Sequence, residues 1–590
     1  MSKIQMKTSE TVSEIFDSFI MTRKAKGLSD KTVSSYQSHL NDVNKLLEFV
    51  KFSDEVEIKL SKLFTYAHMN FDLNQKNVEA LQEYQIVYGV YMELIQASSF
   101  VNSELVSIGK ETLDNFLATN LELKPYSFMI EKLFNNQAHI LTTDKELLLS
   151  YFNSPLAVFN DMYDKLAVSD NSSTMVTLSD GSEVEISEAN FRGYLATCKD
   201  PLDRKKVFEA VYKFYESHKN IFAAIYRGVI ESNIASMKSR NYETILHSFL
   251  EHNNIPVDVF LTLVDTCKNN TEPVKRYYEL RKKYLKLDEL HTYDRFLELS
   301  SYAKNYSYEE GKALFFEAIE CMEEEFKEKA HKVLEEGRVD VNIAPGKRTG
   351  AYSTGTYEEG PFILLNYNNT LDDVFTLAHE AGHSIHTSYS NENQPYTTSN
   401  YTIFVAEVAS TFNEQLLLDH LLKTSNDKDL KIVVLQNAID GLIGTFYRQT
   451  LFADYEYQAH ELGVKGLPIT HESLSNIMVD LYMQYYGIDL NTEPMKKYVW
   501  CYIPHLFHTP FYVYQYATSF ASSLAIYSKV KNKEENAFEN YLKLLKAGGS
   551  TYPVDIIKGA GVDLTNKESF MAVVDRISDL VNQLEKLLEE

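Results

Sequence analysis

Thr370-Leu371-Asp372-Asp373-Val374-Phe375-Thr376-Leu377-Ala378-His379-Glu380-Ala381-Gly382-His383-Ser384-Ile385-His386 is the stretch on which the reading of this chain turns. Thr370 and Asp373 form a Thr-x-x-Asp capping pattern. Val374, Phe375, Leu377, Ala378, Ala381 and Ile385 follow as an apolar stripe, so the spacing predicts a helix at about 370–390. Four helical residues span about 6 Å and a rotation of about 400°, so His379 and His383 leave on one face and can converge on a single ion. Glu380, one residue on, can reach that ion's water without displacing it. Zinc held this way lowers the pKa of its water to about 7, and a neighbouring carboxylate accepts the proton and later hands it to a leaving amine. The plain alternative is two histidines in a core helix; the cap ahead of them favours the metal.

A catalytic zinc needs a third protein ligand and one open position. His386 lies on the same face as His379 but about 10.5 Å further along the axis, too far to share an ion with both imidazoles. It fits a supporting or substrate-side position better. Glu407 is the other candidate. It sits in Phe404-Val405-Ala406-Glu407-Val408-Ala409-Ser410-Thr411-Phe412-Asn413-Glu414, a helical segment whose inner side is marked by Phe404, Val408 and Phe412. Glu407, Ser410 and Glu414 share one stripe at i, i+3 and i+7, and an acidic stripe of this kind is most often solvated.

Upstream of the helix, residues 343–369 turn rich in glycine, tyrosine and asparagine. Pro345-Gly346-Lys347-Arg348-Thr349 superficially resembles a phosphate loop, but residue 341 is valine where a glycine is required, and no strand leads in. Pro361-Phe362-Ile363-Leu364-Leu365-Asn366-Tyr367 is an apolar run opened by proline, which predicts an edge strand. Such an edge beside an active site pairs with an extended peptide. Leu364 and Asn366 are its substrate-binding candidates, and Tyr352 is that of the glycine-rich segment, read as a mobile cover.

Further out, helical patterning over about 9–150, for example Glu14–Arg23 and Val78–Ser98, predicts a helical amino-terminal lobe. Val176 and Leu178, then Val184 and Ile186, alternate about Asp180-Gly181, a hairpin signal placed at the end of that lobe. The expected division is 1–187 for the amino-terminal lobe and 188–590 for the catalytic region. Helical patterning resumes at Asn190 and runs to about Gly337. The charged run over 323–329 reads as a solvated helix face.

The whole composition bounds the alternatives. At 590 residues the chain exceeds the size at which one core stops growing, so two lobes are expected. Its 22 glycines and 13 prolines disfavour a turn-rich all-β architecture. A net charge of −25, with no long basic block, removes the main source of nucleic-acid affinity. No signal-type apolar stretch and no membrane-length apolar run occurs, so a cytoplasmic protein with no membrane partner is expected. Cys198, Cys267, Cys321 and Cys501 lie far apart and read as buried free thiols.

The chain resembles the oligoendopeptidase F family of thimet-oligopeptidase-like zinc metallopeptidases. The resemblance is carried by Gly350-Ala351-Tyr352-Ser353, by the segments 361–366 and 376–384, by Asn393-Gln394-Pro395-Tyr396 and by Ala406-Glu407-Val408-Ala409-Ser410-Thr411. Ala547-Gly548-Gly549-Ser550 and Gly559-Ala560-Gly561-Val562-Asp563-Leu564 extend it, so it spans most of the chain. It implies a mainly α, multi-helical, two-lobed fold enclosing a deep channel, with a small β-sheet beside the active site. It also implies one zinc ion on His379, His383 and Glu407, Glu380 as general base, and endopeptidase action on short unfolded oligopeptides.

The segment 504–516 is similar to the family's carboxy-terminal His/Tyr motif. That similarity implies that His505, Tyr512 and Tyr516 bind substrate and steady the oxyanion, with His505 preferred over His508. Tyr512 and Tyr516 are expected one helical turn apart, with Tyr514 pointing elsewhere. A metallocarboxypeptidase and a non-catalytic peptide-binding scaffold are the competing readings. Oligomeric state is left open.

Overall fold

A computed structural model describes residues 42–98 and 101–590. The expected helix at Glu14–Arg23 lies outside them. Helices α1 (Val43–Leu73) and α2 (Val78–Ser98) come first, then the hairpin β1 (Thr174–Thr177) and β2 (Glu183–Ile186), then the 39-residue helix α3 (Pro201–Ser239). Strands β3 (Val339–Asn342), β4 (Tyr352–Thr356) and β5 (Gly360–Tyr367) lead into α4 (Leu371–Asn393) and α5 (Ile403–Thr424). Beyond these come α6 (Arg448–Val464), α7 (Tyr514–Lys531) and α8 (Lys567–Glu589), with shorter helices between. The fold is mainly α, with five strands among the described residues.

The chain forms two compact units and passes between them repeatedly. The first comprises the described residues up to Ala138, Lys304–His420 and Lys533–Gly561; the second comprises His139–Ala303, Leu421–Asn532 and Val562–Glu590. The boundary expected at 187/188 falls inside the second unit.

In the first unit the sheet order is β3-β5-β4, with β5 parallel to β3 and antiparallel to β4. This corrects the edge-strand expectation: β5 is central and β4 has a single strand partner. Pro361 is tolerated there because it begins the strand, opposite Gly355, whose missing side chain lets the Gly360 carbonyl approach. Ile363, Leu364 and Leu365 are at most 1% exposed, and the strand packs against α4.

The second unit holds the hairpin, which forms as its alternation requires: Val176 pairs with Val184, and Gly181 takes a positive φ of 86°. Its interior includes an ion pair. Arg204 Nε donates to Asp294 Oδ1 at 2.7 Å, and both side chains are at most 2% exposed. The Arg204 Nη1 bonds the Cys198 and Lys199 carbonyls, and Asp294 Oδ2 accepts the His291 N–H at 2.8 Å. Asp294→Ala strands a buried guanidinium and is expected to cost about 3–5 kcal/mol, read as a lower denaturant midpoint at unchanged slope.

The expectation of four buried thiols is corrected: only Cys267 and Cys501 are buried, Cys198 is half-buried and Cys321 is exposed. No helix among the described residues is long and apolar enough to cross a membrane.

Candidate metal centre

The site is built within the first unit from α4, α5 and β4. Thr370 Oγ1 accepts the Asp373 N–H, while the Asp373 carboxylate accepts the Thr370 N–H, so the capping box fixes where α4 starts. Ala378, Ala381 and Ile385 are fully buried, which turns the opposite stripe, His379 and His383, toward α5. On α5, buried Phe404, Val408 and Phe412 do the same for Glu407. Gly382 lets the two helices meet: a Cβ there would stand 2.5 Å from Ser410 Cα and 2.6 Å from the Ala409 carbonyl oxygen.

The result is a convergent triad. His379 Nε2 lies 3.1 Å from His383 Nε2 and 3.3 Å from Glu407 Oε2, and His383 Nε2 lies 3.7 Å from that same oxygen. Tetrahedral zinc with bonds of about 2.0–2.1 Å separates its ligand atoms by about 3.3 Å, so two imidazoles and a carboxylate at these spacings fit a divalent ion. Ser410 Oγ donates to Glu407 Oε2 at 3.0 Å and helps hold the carboxylate in place.

The electrostatics of the triad follow from crowding. Burial and the neighbouring His379 hold His383 down at about 4, in its neutral form. Burial opposes charge on Glu407, but the hydrogen bond with His379 and the two imidazoles overcome it and hold the carboxyl at about 2. Burial likewise opposes charge on His379, and the Glu407 and Glu414 carboxylates overcome it and raise its pKa.

Glu380 is 6% exposed, and burial, above its other neighbours, pushes its carboxyl up to about 7. The Ser353 backbone of β4 partly offsets that rise, while the Glu380 Oε2 is buried with no protein partner. A cavity of about 410 Å³ opens here, lined by Tyr352, Ser353, His379, Glu380, His383 and Glu407 among others. The arrangement places a basic oxygen with free acceptor capacity next to a triad that could hold a metal ion.

Other anticipated residues are placed differently. Tyr352 lines the cavity, but its hydroxyl donates to Asp72 of α1 at 3.0 Å. Leu364 is in the core at 1% exposure. The Asn366 amide donates to the Arg348 and Gly350 carbonyls and so shapes the glycine-rich loop. His386 is fully buried, stacks on Tyr401 at 3.7 Å and has no hydrogen-bond partner on either ring nitrogen, which leaves it outside the triad.

His505, Tyr512 and Tyr516 belong to the second unit and cluster there. His505 stacks on Tyr512 at 5.9 Å, and the two tyrosine rings meet edge-on at 5.4 Å. Tyr512 precedes α7, with Phe511 at φ 55°, so the pair is joined by a turn and not by a helical repeat. Tyr514 is buried against Phe260. His508 faces Asp164 at 2.9 Å.

Glu414 is the residue whose part the sequence reading missed. Its Oε1 lies 2.5 Å from His379 Nδ1, so it orients the imaizole and leaves Nε2 free to face the triad. The signal was its position on the Glu407 stripe.

The profile of Peptidase family M3 matches residues 194–575, and that of Oligopeptidase F matches residues 104–171. Oligopeptidase PepF of Bacillus subtilis is 35% identical over 558 residues, covering 94% of this chain and 83% of that protein. Group B oligopeptidase PepB of Streptococcus agalactiae is 33% identical over 567 residues, 95% of this chain and 93% of that protein. The crystal structure of oligoendopeptidase-F from Enterococcus faecium aligns with a TM-score of 0.73 and 29% identity over 98% of both chains.

Proposed function

Because this chain belongs to peptidase family M3, we propose that its metal is a single zinc ion on His379, His383 and Glu407, with Glu380 as the general base. The chain is a metalloendopeptidase that acts on oligopeptides. The observation that carries the site assignment is the convergence of three ligand atoms within 4.8 Å of one another, beside the unpartnered Glu380 oxygen.

Zinc bound there supplies a Lewis acid that polarises the scissile carbonyl and acidifies water. Glu380 takes the proton from the attacking water and returns it to the departing amine. Glu414 holds the His379 ring in the tautomer that leaves Nε2 available. Tyr352 is proposed as a substrate contact on the cavity wall. Leu364 and Asn366 contribute by holding the strand and loop that carry it. His505, Tyr512 and Tyr516 are assigned substrate binding and oxyanion stabilisation, supported by the family resemblance of segment 504–516 and the mutual packing of the three rings. Action in the cytoplasm belongs to the same proposal and is supported by the free thiols of Cys198, Cys267 and Cys501.

The test is a quenched peptide blocked at both ends, digested with and without chelator. Internal cleavage that stops on chelation and returns with zinc supports the reading, whereas cleavage confined to peptides with a free carboxy terminus rejects it. Glu407→Ala is expected to lose zinc and activity together. Stoichiometric zinc in that variant, with an empty His386→Ala protein, would show that the third ligand is misassigned.

A further inference from the structure

The second unit brings three half-buried cationic side chains to the walls of two cavities, and Arg192 joins them in one of the two. Two small cavities, each with room for about one water-sized sphere (about 20 Å³), share Arg295, Arg448 and Lys496 in their walls. No aspartate or glutamate lines either cavity, and no carboxylate among the described residues forms an ion pair with any of the three. The nearby Glu493 is committed elsewhere: it accepts the Thr292 N–H at 2.8 Å and the Thr292 hydroxyl at 2.6 Å, and faces His291 at 3.3 Å.

The donors outnumber their acceptors. Lys496 Nζ donates to Tyr212 Oη at 2.6 Å, but the Arg295 and Arg448 guanidinium groups make no hydrogen bond to the protein among the described residues. Their recorded side-chain contacts are with rings, Arg295 over Phe296 at 4.6 Å and Arg448 over Phe452 at 4.9 Å. A guanidinium has five N–H donors and no acceptor, so two half-buried guanidinium groups that find no acceptor in the protein offer those donors to an anion or to solvent. Tyr278, Tyr482 and Tyr486 line the first of the two cavities with them. The crowding is energetically visible: burial, then Arg295 and Arg448, hold Lys496 well below the usual ammonium range.

We propose that Arg295, Arg448 and Lys496 form a binding site for one small inorganic anion of chloride size, which neutralises their mutual repulsion and fastens α6 to the segments 294–296 and 496–502 of the second unit. The space favours a monatomic anion over a phosphate, and the charge excludes a cation. This site does not depend on the metal assignment, since its ligand, residues and readout are separate.

The test is thermal unfolding of the full chain in sodium chloride, sodium phosphate or sodium gluconate at constant ionic strength. Chloride is expected to raise the midpoint saturably by roughly 2 °C over gluconate, through linkage between binding and folding. Arg448→Met should lose that response while melting no lower than the unaltered chain in gluconate, because one repelling charge has gone; a purely structural arginine would lower the midpoint in every salt. Equal midpoints in chloride and gluconate, a response to phosphate alone, or a full chloride response in Arg448→Met would overturn the proposal. Should Arg448→Met fail to fold, crystals of the unaltered chain grown in bromide decide: an anomalous peak among the three side chains supports the site, and its absence rejects it.

Discussion

Glu380→Gln is expected to bind zinc at full stoichiometry and to lose about 10²–10⁴-fold in kcat on a blocked peptide. The substitution keeps the shape of the side chain and leaves the proposed ligands His379, His383 and Glu407 untouched, so metal content should not move. What it removes is the ability to accept a proton. The oxygen concerned is buried and makes no bond to the protein, and burial already disfavours its charge. At 1.36 kcal/mol per decade the loss corresponds to about 3–5 kcal/mol of transition-state stabilisation. Metal analysis beside single-turnover cleavage checks both halves. Unchanged turnover would remove Glu380 from the proton path; joint loss of metal and activity would make it a structural support.

Gly382→Ala is expected to be nearly as damaging without touching a reactive group. The added methyl would meet Ser410 Cα at 2.5 Å and the Ala409 carbonyl at 2.6 Å, both backbone atoms that no rotamer change can clear. The helices are also pinned one turn away, where the Asn413 amide donates to the Ala378 carbonyl at 3.2 Å. The strain therefore falls on the spacing between the two imidazoles and Glu407. A shift of about 1 Å at such a site costs about 10²-fold in rate, and overpacking costs a further 1–3 kcal/mol of stability. Zinc titration and peptide turnover should fall together while helical content persists. Gly441, in the helix Lys428–Leu442, has no atom within 4 Å of an added Cβ, so Gly441→Ala serves as a silent control. Zinc affinity in Gly382→Ala equal to that of the control would mean that the helix spacing is not set here.

The parts of the molecule that the sequence makes legible are those fixed by neighbours in the chain. The capping box, the two histidines one turn apart and the Asp180-Gly181 hairpin depend on spacings of two to four residues, and each forms where expected. The sheet order does not follow from such spacings. β3 is only four residues long, and an alternation as short as Val339-Asp340-Val341-Asn342 names no partner, so its pairing with β5 is invisible until the fold brings them together, and β5 was read as an edge. Glu414 was visible as part of a stripe, but only the packing of α5 against α4 distinguishes a carboxylate facing an imidazole from one facing water. The left-handed turn at Phe511 has no local signal either, since phenylalanine seldom adopts it. The two units escape sequence reading because the chain alternates between them, and composition carries no trace of those crossings.

The apolar contact of α4 with α5 has a practical outcome for handling the protein. Ala378, Ala381, Ile385, Val408, Ala409 and Phe412 are each at most 1% exposed, and their packing requires no ion. In zinc fingers, by contrast, the cation is itself a condition of folding. Here the apolar packing does not involve the proposed ligand side chains, so the protein emptied by dialysis is expected to stay folded and to take up a chosen divalent ion without refolding.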